Sequence, residues 1–251
     1  MTQYIADEKI DEYIKKLGMA SVNEIRRAFD ISESTVRRTL ARLESTGHIR
    51  RYKGGAVSLN HKSTMFDQRL QYYSTEKDTI ARKATECIKE GSSIILLGGT
   101  TISAMCPYLF NKNLTVITNS LAVVDALKNA SGVQLIMLGG IYHQEEYELV
   151  GDVTSMGLQV IHADILFTGC TGFSPEIGFM TDEINSISFY NLCMKSADKT
   201  YVLADSSKSQ KSSMAIFAPG EKVHGFITDN GIPESIKTAF INLGIDMIIA
   251  T

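Results

Sequence analysis

The chain has 251 residues, 44% of them apolar and 21% charged, an ordinary globular composition with room for one large domain or a small one beside a medium one. No apolar run approaches the roughly 20 residues needed to cross a bilayer, and the four cysteines (Cys87, Cys106, Cys170, Cys193) lie too far apart for a paired metal motif, so they read as reduced thiols of a cytoplasmic protein. The net charge of −3 is unevenly spread: residues 1–62 hold 12 Lys and Arg against 8 Asp and Glu, which leaves −7 for the remainder and points to nucleic acid at one end.

Taken in chain order, Ile10, Ile14 and Leu17 recur at helical spacing, with Gly18 in a C-cap position. Ser21 and Glu24 form a capping box for a second helix that buries Val22, Ile25 and Phe29. Asp30 to Ser32 turns the chain into a third helix, with Ser32 as N-cap and Glu33 in the first turn. Val36, Leu40 and Leu43 share one face of that helix, which leaves Arg37, Arg38 and Arg42 free to reach outward. Two short helices, a tight turn and an arginine-bearing helix make a helix-turn-helix suited to a DNA major groove. From His48 to Val57, alternating apolar and basic residues run into Gly54-Gly55, the pattern of a short hairpin, or wing. Its Arg50, Arg51 and Lys53 are placed to meet phosphates. Ser32, Ser34, Thr35, Arg37, Arg38 and Arg42 are the candidate groove and phosphate contacts of the helix. Pairing of one arginine with Glu33 or Glu44 is the competing reading.

These residues carry a resemblance. Val36-Arg37-Arg38-Thr39-Leu40, then Leu43-Glu44 and Gly47, then Arg51-Tyr52-Lys53-Gly54-Gly55-Ala56 resemble the DeoR family of bacterial transcriptional repressors. Its members carry an Ile-Arg-Arg-Asp-Leu helix and a wing ending in Gly-Gly-Ala. The resemblance implies a winged helix-turn-helix over residues 1–58 that binds double-stranded operator DNA. Thr39 stands where the family has Asp, which implies altered hydrogen bonding on that helix face.

Residues 59–75 read as a linker, within which Phe66, Leu70 and Tyr73 recur at helical spacing and could pack the head against the body. Residues 76–251 alternate helical and strand patterns, as in an α/β sheet with helices on its faces. A helix is expected from Asp78 or Thr79 to Gly91. Strands are expected at Ser93–Leu97, Leu114–Thr118, Val133–Leu138, Ala163–Thr168, Thr200–Ala204, His224–Thr228 and Asp246–Ala250. Helices should follow Thr100 (through Met105 and Leu109) and Ser120, and should span Glu183–Ala197 and Pro233–Leu243, with Gly178–Asp182 as a loop. The first three strands each run into glycine, hydroxyl or amide residues. Beyond strand carboxyl ends, at helix N-termini, such loops favour an anionic ligand.

The body resembles the DeoR-type sensor domain, whose fold is related to ribose-5-phosphate isomerase, through Gly99-Thr100-Thr101, Thr118-Asn119-Ser120, Gly139-Gly140, Gly151, Gly172 and Ala204-Asp205-Ser206-Ser207-Lys208. The resemblance implies a site for a phosphorylated sugar or related metabolite lined by Gly99, Thr100, Thr101, Asn119, Ser120, Gly140, Thr171, Gly172 and Lys208. It also implies release of DNA when that site fills. Leu97, His143, Ser188 and Tyr190 stand where charged residues are expected, which changes what the site can complement. A sugar-phosphate isomerase fused to a DNA-binding head is the alternative, but Gly169-Cys170-Thr171-Gly172 offers no acid for proton transfer, so no catalytic residue is assigned. The five histidines (His48, His61, His143, His162, His224) form no pair at ligand spacing, and neither a metal nor a cofactor is expected. A homo-oligomer, dimer or tetramer, is expected of a protein that reads two-fold half-sites.

Overall fold

The computed structural model describes residues 2–17, 19–52, 54–58 and 65–251. The expected C-cap Gly18, the wing residue Lys53, residues 59–64 of the linker and the Leu17 side chain lie outside the described residues. The chain divides into two units, Met1–Arg69 and Leu70–Thr251.

In the first unit, helix α1 (Thr2–Leu17) leads through strand β1 (Met19–Ser21) to α2 (Val22–Phe29) and α3 (Glu33–Ser45). Strands β2 (Ile49–Tyr52) and β3 (Gly55–Ser58) follow. Both sequence-predicted caps form. Ser21 accepts from the Glu24 amide while Glu24 closes the box, and Ser32 accepts from the Thr35 amide. Ile10, Ile14, Val22, Ile25, Val36, Leu40, Leu43 and Ile49 make the core. Each such side chain contributes roughly 1.5–3 kcal/mol by leaving water. The wing is an antiparallel hairpin of β2 and β3. Strand β1, too short to show any alternation in sequence, adds to its far side, giving the order β1-β3-β2. Gly55 permits this, since a Cβ there would stand 2.4 Å from the Ala20 carbonyl oxygen.

Helix α4 (Met65–Gln71) carries the expected apolar stripe only in part. Phe66 is buried, whereas Leu70 is exposed. Tyr73 is exposed too and lies beyond the helix, its backbone left-handed (φ 56°) as the N-cap of α5.

The second unit opens with α5 (Ser74–Ala84) and continues with β4 (Ser93–Leu96), α6 (Thr100–Ser103), β5 (Leu114–Thr118), α7 (Leu121–Leu127) and β6 (Val133–Met137). Then come β7 (Ile141–His143), β8 (Glu148–Val150), α8 (Asp152–Leu158), β9 (Ala163–Gly169), β10 (Gly172–Ser174) and β11 (Gly178–Thr181). The chain closes with α9 (Ile187–Lys195), β12 (Ala197–Leu203), β13 (Ala215–Ala218), β14 (Gly225–Asp229), α10 (Glu234–Asn242) and β15 (Asp246–Ala250). A seven-stranded sheet runs β15-β14-β12-β9-β4-β5-β6, parallel throughout. One apolar cluster, with Ile80, Leu96, Met105, Val116, Phe167 and Leu203, covers part of it. In another, Phe173, Phe179, Phe226 and Phe240 pack ring against ring at 4.7–6.4 Å.

Several expectations need correction. Helix α5 begins at Ser74, before Asp78, and gives way after Ala84 to a 3₁₀ turn ending at Cys87. Helix α6 is a single turn, because Pro107 has no amide to offer the Ser103 carbonyl, and the segment with Leu109 is a separate 3₁₀ turn. Gly178–Thr181 is a strand rather than a loop, all four residues buried between β10 and β13. Residues 184–186 form a 3₁₀ turn, so the helix expected from Glu183 begins at Ile187. The segment with His143, Glu145 and Glu146 belongs to the unforeseen β7–β8 hairpin.

Candidate DNA-binding and ligand sites

Along α3, Ser32, Ser34, Arg37 and Arg38 are exposed and Thr35 is half-buried. The Ser32 hydroxyl lies 2.9 Å from that of Ser34 and 2.8 Å from that of Thr35, a small hydroxyl cluster at the helix start. Arg37 pairs with Glu33 one turn back (Nε–Oε1 2.8 Å, Nη2–Oε1 2.7 Å). Among the described residues Arg38 and Arg50 make no ion pair, and both are exposed. Glu44 accepts the Arg51 amide at 2.8 Å, with the guanidinium 3.9 Å away.

Arg42 corrects the expectation that it is free. Its guanidinium grips Asp7 of α1 through two hydrogen bonds and also donates to the Thr39 hydroxyl at 3.0 Å. Thr39 is buried and donates to Asp7 at 3.0 Å. Arg42 therefore ties α3 to α1. The Arg42 hydrogen bonds, assisted by Thr39, hold the Asp7 carboxyl below its usual value against the opposing effect of burial.

At the other site, every strand of the parallel sheet delivers its carboxyl end to one edge. The chain proceeds from β4 to β5 and β6 on one side and returns through β9 to β12, β14 and β15 on the other, so β4 and β9 flank the switch point where open α/β sheets bind ligands. Gly99, Thr100 and Thr101 follow β4, Asn119 and Ser120 follow β5, Thr171 follows β9 and Lys208 follows β12. The topology thus brings these expected residues to one edge. Gly140 and Gly172, which follow β6 and β9, also have structural work: a Cβ would stand 2.1 Å from the Thr154 hydroxyl at Gly140 and 2.2 Å from the Lys211 carbonyl at Gly172. Helices α6 and α7 are too short to serve as helix-terminal anion sites. Ser120 is fully buried and caps α7, its hydroxyl accepting from the Val123 amide at 3.5 Å.

Two buried oxygens at this edge, Asn119 Oδ1 and Asp205 Oδ2, have no hydrogen-bond partner. The other Asp205 oxygen accepts from the Ser207 hydroxyl, and Asp229 holds the Ser206 amide and hydroxyl and the Gly231 amide. The positions expected to carry charge have been absorbed otherwise. Leu97 lies in an apolar cluster with Ile95, Ile117 and Leu166, and Tyr190 stacks on Phe217 at 4.5 Å. Sequence reading missed Glu148, whose carboxylate comes from β8 to the Gly98 loop, 3.4 Å from Asn119 Nδ2. Burial pushes the Tyr190 hydroxyl and Cys193 thiol up, and the Glu148 charge adds to both. Burial likewise pushes the Cys170 thiol up to about 12, with Lys208 opposing.

Comparison with known proteins accords with this arrangement. Residues 7–62 match the DeoR-like helix-turn-helix domain and residues 73–230 the DeoR C terminal sensor domain. The HTH-type transcriptional regulator GolR of Listeria innocua is 31% identical over 253 residues, covering 100% of both chains. The L-fucose operon activator of Haemophilus influenzae is 31% identical, covering 92% of this chain and 94% of its own. The lactose phosphotransferase system repressor of Staphylococcus epidermidis is 28% identical, covering 92% and 93%. Among solved structures, ribose 5-phosphate isomerase A of Methanocaldococcus jannaschii is similar at a TM-score of 0.39 and 18% identity, over 58% of this chain and 56% of that one, a likeness that carries no argument about activity. Two matched domains in tandem and relatives similar along nearly their whole length place this chain in the DeoR family of helix-turn-helix transcriptional regulators.

Proposed function

We propose that this regulator represses carbohydrate-metabolism genes from operator DNA and leaves it when a phosphorylated sugar or related metabolite binds the sheet edge. In this reading, residues 1–58 bind DNA, 59–75 connect and 76–251 sense the metabolite and oligomerise, in the cytoplasm. Ser32, Ser34, Thr35, Arg37, Arg38, Arg50, Arg51 and Lys53 meet the duplex. Gly99, Thr100, Thr101, Asn119, Ser120, Thr171 and Lys208 surround the ligand. Two copies bind together, because a single recognition helix reads one half-site of a two-fold operator.

The observation that carries the ligand reading is the pair of buried oxygens without partners, Asn119 Oδ1 and Asp205 Oδ2, at the strand ends beside the switch point. A buried polar group left unpaired costs stability unless something else satisfies it, and a polyhydroxyl ligand supplies donors. The related regulators are named for sugar operons, which fits that ligand class. We read the chain as a regulator rather than an isomerase, since the relatives it matches along nearly their whole length are named transcriptional regulators, and Asp229 is engaged through both oxygens in holding the Ser206–Lys208 turn.

The test is a melting-temperature screen of the full chain against sugar phosphates, followed by gel shifts on duplexes selected by the protein from a random pool. The effector should both raise the melting temperature and weaken the complex, and bound duplex should lower effector affinity by the same factor, because the coupling is reciprocal. A ligand that stabilises the protein and leaves duplex affinity unchanged would refute the release mechanism.

A further inference from the structure

The outermost strand on one side of the parallel sheet, β6, is unguarded. No charged residue stands between Val133 and Tyr142, and Ile136 and Met137 are exposed. The opposite edge strand, β15, begins with an exposed Asp246. Sheet edges ordinarily carry charge, proline or a bulge, because their open amides and carbonyls recruit further strands. β6 pairs with β5 in an unbroken parallel register. The Gly132 carbonyl accepts from the Leu114 amide and the Leu138 amide donates to the Thr118 carbonyl, so the even-numbered residues bond toward β5. Val133, Leu135 and Met137 therefore turn their backbone groups to the other side, where no described strand meets them.

Helix α8 extends this surface. Its Thr154 and Leu158 are fully buried, whereas Val153, Met156, Gly157 and Val160, spaced i, i+3, i+4 and i+7, share a second side. Val153, Met156 and Val160, the last just past the helix end, are 60%, 64% and 89% exposed. Close approaches join this stripe to the segment that follows β6. A Cβ at Gly139 would stand 3.6 Å from Val153 Cγ1, and one at Gly157 3.3 Å from Leu138 Cδ2. Ile141, itself 71% exposed, comes as near to Gly151 at the head of the helix. A helix apolar on its outer side as well as its inner one marks a surface that another body covers.

We propose that a second copy of this chain covers the surface formed by β6 and the outer side of α8, an inference that rests on the two-copy reading above. A two-fold axis sets residues near their own counterparts, so charges of one sign around it repel. The run from Val133 to Tyr142 and the stripe of Val153, Met156, Gly157 and Val160 hold no charge, which suits that symmetry. The backbone suits it too. In an antiparallel pair of β6 strands centred on Leu135, Val133 of each copy faces Met137 of the other. These are the residues whose amides and carbonyls point outward, so the pairing satisfies them and joins the two sheets. The α8 stripes leave water beside the joined edges.

The test is sedimentation equilibrium of the full chain, with folding checked by circular dichroism. Met156→Lys on α8 and Met137→Lys on β6 each place a charge on an exposed side chain of the surface, so either serves if the other fails to fold. Met214→Lys, at an exposed apolar residue of another segment, is the control. The expected result is a wild type that self-associates, with a dissociation constant raised at least tenfold by Met156→Lys and Met137→Lys and unchanged by Met214→Lys. Association that both surface variants leave intact, or that Met214→Lys weakens as much, overturns the proposal while the two-copy reading stands. A wild type that is monomeric both free and on a selected duplex removes that reading as well, and leaves the surface to a different partner.

Discussion

Arg42 closes a two-pronged grip on Asp7, Nε to Oδ2 at 2.8 Å and Nη2 to Oδ1 at 2.7 Å, and so joins α3 to a helix that begins the chain. Thr39 sits inside that grip, hydrogen-bonded to both partners. Asp7→Asn should destabilise the first unit by about 1 kcal/mol, a modest value because the arginine is half-exposed and screened. The folded-state pKa of Asp7 is depressed, so its contribution is present above the ordinary carboxylate value of 3.8 and is lost as pH falls through the lower folded value. Melting curves should show the wild type and Asp7→Asn differing at neutral pH and converging in acid. A constant gap down to the lowest accessible pH would contradict this account.

The two outward arginines of α3 differ in how they are held. Arg38 has no ion partner among the described residues, whereas Arg37 is engaged by Glu33. If Arg38 reads a guanine edge, Arg38→Ala should weaken specific binding by about 1–3 kcal/mol. Arg50→Ala on the wing should weaken all duplexes alike and reduce the salt slope by about 1. Glu33→Gln should tighten binding, since it frees Arg37 and removes a negative charge from the face. Gel shifts across a salt series separate the three effects.

The four-ring cluster is part of the apolar core of the second unit. Phe240 is fully buried against Phe173, Phe179 and Phe226, with its nearest ring centroids at 5.4 Å. Phe240→Ala should cost about 3–5 kcal/mol, the loss typical of an aromatic side chain removed from a close-packed core. Chemical denaturation would show a lower midpoint with little change in slope.

Thiol reactivity should follow burial. Cys106 is fully buried, and desolvation pushes its thiol up to about 12; Cys193 is equally buried and shifted in the same direction. Since the thiolate is the reactive form, both should resist iodoacetamide in the folded protein at pH 7.5 and react on unfolding. Mass spectrometry of the modified peptides reads this directly, and rapid native labelling of either would contradict the buried placement.

Much of this protein could be read from its residues in order. The Ser21–Glu24 box and the Ser32 cap depend on hydrogen bonds spanning three residues, so local sequence is enough to specify them. The strands β4, β5 and β9 are short apolar runs because a parallel strand covered on both faces has no polar side to show. Tertiary structure alone decided the rest. β1, β10 and β11 are held by pairing with other strands, β1 with β3 and β11 between β10 and β13, and their own three or four residues carry no periodic signal. Arg42 looked free because Asp7 lies 35 residues away, and Glu148 went unnoticed because it reaches the glycine before Gly99 from a distant hairpin. Periodicity records which face of an element is apolar, but the partner of a charge is set by how elements meet in space.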